Sequence, residues 1–245
     1  MPELPSTPPL TVAITGAGGA LGQALLRRWH ERGARLIAFS HSERPIVLED
    51  EGGQPIPLRQ LRWRTGAEEE LSEILAEVDV LVLNHGVNVH DKRDAAAVQC
   101  SLEVNALSSW RLLELFAQVA AARLHREPER PRAEVWVNTS EAEIQPALSP
   151  LYELSKRLLG QLLSLRALDL RLSLRIRRLV LGPFRSELNP IGVMDADWVA
   201  GEILRQAGWN CGLIIVTINP LTYVLMPLSA VLRWAYFRAA TRTAA

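Results

Sequence analysis

Short apolar runs alternate with longer stretches of helical spacing along residues 11–218. TVAIT (11–15), RLIAF (35–39), DVLVLNHG (79–86), AEVWVNTS (133–140), LSLRIRRLVLG (172–182) and GLIIVTI (212–218) read as strands, with LRW (61–63) a weaker one. Between them LGQALLRRWHERG (21–33), EEELSEILAEV (68–78), residues 101–125, residues 149–168 and DADWVAGEILRQAG (195–208) repeat apolar residues at helical intervals. Strands alternating with helices imply βαβ units and a parallel sheet covered on both faces. Right-handed crossovers make that sheet doubly wound. The expected fold class is therefore α/β, a doubly wound parallel sheet in one domain over 11–220. A disordered leader is expected at 1–10 and an apolar C-terminal extension at 221–245.

Sheets of this kind bind ligands beyond the carboxyl ends of their strands. Gly16, Ser40, Asn84, Ser140 and Gly182 all fall at such ends. Acids and bases balance, 27 against 27, so no electrostatic footprint for nucleic acid is present and no nucleic-acid partner is expected. Cys100 and Cys211 match neither a disulfide framework nor a zinc-ligand set, and no metal site is expected. A proline-rich start without a basic and apolar signal points to a cytoplasmic protein.

TGAGGALG (15–22) follows a strand and opens a helix. Glycines there let the backbone turn tightly and approach a pyrophosphate, whose charge rests on the helix N-terminus. Gly16, Gly19, Ala20, Leu21 and Gly22 are the candidate cradle, and the lack of a following Lys-Ser/Thr excludes a P-loop. The second strand ends in FSHSERP (39–45), without an acid directly at its end. Ser40, Ser42 and Arg44 suit a ribose 2′-phosphate, which favours NADP(H). Glu43 keeps NAD(H) open, since a carboxylate there would take the 2′-hydroxyl.

YELSK (152–156) places Tyr152 and Lys156 on one face of a predicted helix. A phenol titrates near pH ~10. A neighbouring ammonium is expected to lower that value, so that Tyr152 exchanges a proton with an alcohol or carbonyl. Lys156 is one of two lysines among 27 basic residues. Its compact, rotatable donors can serve a tyrosine and a ribose together. Ser140, at a strand end, offers a hydroxyl to a substrate oxygen.

The ordered set T-G-x-x-x-A-x-G, N-H-G, V-N, N-T-S, Y-E-L-S-K and LGPFRS (181–186) resembles the short-chain dehydrogenase/reductases over residues 11–220. The resemblance implies a Rossmann oxidoreductase using NAD(P)(H) on a small carbonyl or alcohol substrate. It implies Tyr152 as acid/base and Lys156 as pKa modulator and ribose ligand. Ser140 would position the substrate oxygen, and Asn105 would hold a relay water. Asn84 and Gly86 would flank the adenosine side, and Gly182 and Pro183 would border the nicotinamide pocket. It also implies a homo-oligomer formed through the helices at 101–125 and 149–168. Three departures stand out. Ala20 replaces a usual glycine. His85 replaces the commoner alanine of N-A-G. The family's active serine also falls three residues after the strand asparagine, where Glu141 stands here. Ser140 and Thr139 are both open as substitutes, and a non-catalytic dinucleotide-binding regulator is the alternative function. More finely, NHGVNVH, LGPFRSELNPIGVM and IIVTINPLTYVLMPL resemble the dehydrogenase module of bifunctional sterol desaturase/short-chain dehydrogenase proteins.

NPLTYVLMPLSAVLRWAYFRAATR (219–242) joins an apolar run to Trp234, Tyr236 and Phe237 between two arginines. Three readings are open: packing on the domain or a second subunit, peripheral membrane contact through 221–238, or a span. A greasy segment beside the site also suits an apolar substrate.

Overall fold

Residues 8–170 and 173–241 are described by the computed structural model. Of the leader expected at 1–10, residues 1–7 lie outside that description. Runs rich in valine, leucine and isoleucine, buried on both faces, form the strands of a parallel sheet, except at the polar, partly exposed edge strand RQLR (59–62). They are β1 (Thr11–Thr15), β2 (Arg35–Ser40), β3 (Arg59–Arg62), β4 (Val80–Leu83), β5 (Glu134–Ser140), β6 (Arg175–Leu181) and β7 (Leu213–Val216). Their spatial order is β3-β2-β1-β4-β5-β6-β7. The order reverses between β1 and β4, which opens a crevice at their carboxyl ends.

Two apolar layers hold the helices. On one face α1 (Ala20–His30) and α6 (Ala196–Gly208) bury Leu25, Trp29, Ile203 and Leu204 against Val12, Ile14, Trp136 and Ile214. On the other, α4 (Ser108–Arg126) and α5 (Pro150–Arg166) bury Leu112, Phe116, Leu159 and Leu163 against Leu81, Leu83, Val135 and Val137. Each such side chain contributes about 1.5–3 kcal/mol when fully buried.

Local chemistry moves several boundaries. The helix expected at 68–78 breaks into a 3₁₀ turn, Glu68–Leu71, and a short α2 (Ser72–Leu75). Glu68 causes the break, because its carboxylate accepts from Gly66 N (3.0 Å) and Ser108 Oγ (2.9 Å) and pairs with Arg111 (2.8 Å). The helix expected at 101–125 starts earlier, as α3 (Ala95–Leu102), where Asp94 caps the Ala97 amide at 2.9 Å. It passes through a π turn at Glu103–Leu107 before continuing as α4. The arginines of β6 are structural. Arg177 pairs with Glu134 at 2.7 Å, and Arg178 donates to Gly160 O at 2.9 Å and Ser164 Oγ at 2.7 Å.

The C-terminal region corrects the expectation of an apolar extension. Thr222–Ala240 form α7, with Pro227 inside it. Among the described residues no helix is long and apolar enough to cross a membrane. α7 lies against α5, one of the two helices through which subunit contact was expected. It is fastened by a buried carboxylate. Glu143, with a fully buried side chain, receives Arg233 Nη1 at 2.9 Å from α7 and stands 3.6 Å from Arg178 Nη1 of β6. Gly160 of α5 makes room for the cluster, since a Cβ there would stand 1.9 Å from Glu143 Oε2. Removing one charge from a buried ion cluster strands the others. Glu143→Gln is expected to cost about 3–5 kcal/mol, read as a lowered urea midpoint at unchanged slope.

Candidate active site

The cradle forms because β1 runs straight into a turn that only glycine accepts. Gly16 adopts φ +62°, and a Cβ on it would stand 2.9 Å from His85 Cα. Gly22, in the first turn of α1, lies so close to the loop that a Cβ would meet Gly16 O at 2.4 Å. Gly19 is the N-cap of α1 and has no side chain to close the helix end. Leu21 turns into the core, and Ala20 packs beside it. The free helix end and bare backbone therefore fit a dinucleotide pyrophosphate. Ser40 ends β2 next to this loop; a Cβ on Gly18 would stand 3.9 Å from its Oγ. Ser40 Oγ accepts from Ser42 N at 3.1 Å, and Ser42 Oγ from Arg44 N at 3.1 Å, which folds the segment into a tight polar turn. Glu43, the candidate ribose ligand for NAD(H), is instead paired with Arg62 of β3. That pairing leaves Arg44 as the charge in the turn with no acid partner among the described contacts, which fits a 2′-phosphate.

Asn84 ties the cradle to the rest of the site. Its Nδ2 donates to Gly16 O at 3.4 Å, and its Oδ1 accepts from Asn138 Nδ2 of β5 at 2.8 Å. His85 shares a 2.8 Å hydrogen bond with Thr15 Oγ1 and sets its ring edge-on to Trp63, 5.0 Å between centroids. Burial pushes its pKa down to about 3, with the Lys156 charge adding to the shift and Glu68 opposing it. It is a neutral packing group. Asn105 lies in the π turn, fully buried. Its side chain accepts from Val87 N (2.8 Å) and donates to Val87 O (2.9 Å) and Ser155 Oγ (3.0 Å). It is thus committed to the segment after β4 and to α5 rather than to Lys156. Gly86 passes beneath it, where a Cβ would stand 3.2 Å from Asn105 Oδ1.

α5 brings the reactive pair to the end of β5. Pro150 opens the helix, and Tyr152 and Lys156 follow on one face. The Lys156 ammonium lies 5.6 Å from the Tyr152 ring centroid and donates to Asn138 O at 3.0 Å. Burial lowers its pKa to about 8, against the raising field of Glu143. The phenol does not show the expected lowering. Burial raises the Tyr152 pKa, the Ser140 hydrogen bond works to lower it, and the Glu141 charge adds to the rise. Lys156 spends its donor on a backbone carbonyl rather than on the phenol oxygen, so burial prevails.

The three hydroxyl and carboxyl candidates separate cleanly. Ser140 Oγ accepts from Ala142 N at 3.2 Å, donates to Leu181 O at 3.4 Å and lies close enough to Tyr152 to act on its pKa. Thr139 Oγ1 faces away and donates to Leu179 O at 3.2 Å. Glu141 turns toward β7 and α7, accepting from Thr217 Oγ1 (2.7 Å) and Thr222 Oγ1 (3.1 Å). Gly182 sits against Thr217, where a Cβ would come within 2.3 Å of its Oγ1. Pro183 O accepts from Val193 N at 2.9 Å and closes the loop after β6. Sequence reasoning passed over Asn138 as a participant and missed Glu143 and Thr217. A polar pair at the end of an otherwise apolar strand was the one available signal, and it pointed only to Asn138.

Comparison with known proteins agrees with this architecture. The model of the NAD dependent epimerase/dehydratase family matches residues 12–126. A monoglucosyldiacylglycerol epimerase from Synechocystis sp. is 46% identical over 231 residues, 94% of this chain; the chain spans 55% of that relative's length. A short-chain dehydrogenase from Sphingobium yanoikuyae in complex with NADPH superposes with a TM-score of 0.74 at 16% identity, covering 96% of this chain and 98% of the other. A short chain dehydrogenase from Burkholderia cenocepacia in complex with NADP gives 0.74 at 15%, with the same coverage. The solved structures share this chain's parallel-sheet fold, and the family match runs from β1 through α4.

Proposed function

We propose that the chain transfers a hydride between NADP(H) and a carbonyl carbon or its alcohol, with Tyr152 handling the proton. The observation that carries this reading is the meeting of Ser140 and Tyr152 above the buried Lys156, on the sheet edge that also bears the glycine cradle. When bound, the nicotinamide supplies or accepts the hydride. Every other task falls to side chains. The Ser140 hydroxyl exchanges its long 3.4 Å bond to Leu181 O for the substrate oxygen and orients it. Tyr152, kept neutral by burial, gives its proton to that oxygen in reduction and takes it back in oxidation. The Lys156 charge steadies the phenolate left behind and reaches for the ribose. Gly16, Gly19 and Gly22 cradle the pyrophosphate, Ser40 and Arg44 take the 2′-phosphate, and Asn84, Gly86, Gly182 and Pro183 wall the cleft. Asn105 acts by pinning the segment after β4. A homo-oligomer and a cytoplasmic location are part of the same proposal.

A second reading concerns the substrate, and the 46% identical epimerase favours it. An alcohol carbon that is oxidised and then reduced on its opposite face is epimerised by the same residues. A glycosyl headgroup on diacylglycerol is thus a substrate class to test. The finer resemblance to the dehydrogenase module of bifunctional sterol desaturase/short-chain dehydrogenase proteins also points to lipids. At the mouth, Leu148 and Ile191 are 95% and 85% exposed, which suits an apolar substrate.

Two outcomes test the chemistry. Tyr152→Phe is expected to lower turnover about 10²–10⁴-fold on a ketone panel or on monoglucosyldiacylglycerol in mixed micelles, with NADPH affinity unchanged. A wild type that binds NADPH and turns over none of these supports the non-catalytic regulator instead. Ketone reduction is also expected to hold level below about pH 8 and to fall as Lys156 loses its proton above it. Its charged form is the active one and lies on the acid side of that pKa, so a rate that rises through pH 8 contradicts the assigned role.

A further inference from the structure

α7 is built inside out. Its inward stripe is Thr222, Met226, Ser229, Arg233 and Phe237, one residue per turn, and three of these five are polar. Its outward face carries Val224, Leu225, Leu228, Val231, Leu232 and Tyr236, all exposed, with Val224 at 65% and Tyr236 at 67%. A helix on the surface of a protein in water ordinarily shows the opposite arrangement. The polar stripe is fixed inward by the Arg233–Glu143 pair at 2.9 Å and by Thr222 Oγ1 on Glu141 at 3.1 Å. The helix therefore cannot roll its apolar side onto the domain.

We propose that this face lies in the surface of an anionic lipid bilayer, with α7 parallel to the membrane plane. Three observations select lipid over a second copy of the chain. With exposed Tyr223 and Trp234 beside them, the apolar residues wrap more than half of the helix at 100° per residue, a convex surface that a fluid phase covers and a single protein groove does not. Between Asn219 and Thr241 there is no acid, and the outward cation, Arg238, stacks on Trp234 at 5.5 Å. An arginine among Trp234 and Tyr236 suits the headgroup level of an anionic leaflet. The face is also continuous with the catalytic edge. α7 begins at Thr222, bonded to the residue after Ser140, and exposed Ile191 and Leu148 sit on loops leaving the same edge of the sheet. Docking would thus set the mouth of the cleft against the bilayer without any segment crossing it. This inference deepens the lipid-substrate reading, but its test does not depend on catalysis.

The full chain is mixed with vesicles of phosphatidylcholine alone or with phosphatidylglycerol, then floated through a density gradient. Wild type is expected to float, more strongly with phosphatidylglycerol and less at high salt. The triple variant V224E/L228E/L232E is expected to lose about tenfold or more in bound fraction at unchanged melting temperature and NADPH affinity. R238E is expected to lose only the preference for anionic vesicles. Tyr152→Phe is expected to float like wild type, so failure of the catalytic reading leaves this result standing. Wild type that stays in solution overturns the proposal, as does a triple variant that still floats. A wild-type dimer that the triple variant dissociates, with no vesicle binding, assigns the face to a second copy instead.

Discussion

The hydrogen bond from the Lys156 ammonium to the Asn138 carbonyl, 3.0 Å long, holds α5 at a fixed height on β5. That height decides whether Tyr152 meets Ser140. The contact carries a cost, since burial brings the ammonium down to about 8. Asn138 extends the constraint sideways. Its amide reaches Asn84, which in turn holds Gly16, so one run of contacts links the dinucleotide cradle to the proton donor. None of these groups is far in space, yet they come from four separate elements. The parallel register of β1, β4 and β5 is what aligns them.

Much of this was legible before any coordinate. A buried parallel strand needs continuous apolar residues, and β1, β4, β5 and β7 have them. The glycine loop announced itself because its spacing answers a steric demand: two close approaches near 2.4 and 2.9 Å that a Cβ would violate. Ser140 was harder. Counting from Asn138 pointed to Glu141, and only the strand's local geometry turns Glu141 toward Thr217 and Ser140 toward Tyr152. The electrostatics were misjudged for a related reason. Proximity of Tyr152 and Lys156 along the helix was visible, but the desolvation around a buried lysine and a half-buried tyrosine, and the carbonyl that claims the ammonium, are products of tertiary packing.

The C-terminal segment eluded pattern reasoning because its pattern is reversed. Apolar residues at helical spacing normally mark the side that packs inward. In α7 the buried stripe is carried by Thr222, Met226, Ser229 and Arg233, and its partner, Glu143, lies ninety residues away from Arg233 in sequence. Glu143 itself gave no signal, being one acid in a short polar stretch. Gly160, on a third element, completes the fit through the side chain it lacks. Long-range complementarity of this sort leaves no local trace.

The π turn at Glu103–Leu107 holds one residue more than an α-helix would in the same span. The widened turn absorbs that surplus, so α4 keeps the phase that lays Leu112 and Phe116 on the sheet while Asn105 is pushed out to meet Val87. Losing a single residue there would let the span close as ordinary α-helix, sparing the core face and taking away the outward placement of Asn105. The middle of this long helix is thus where the chain can change length at the expense of the cleft and not of the core.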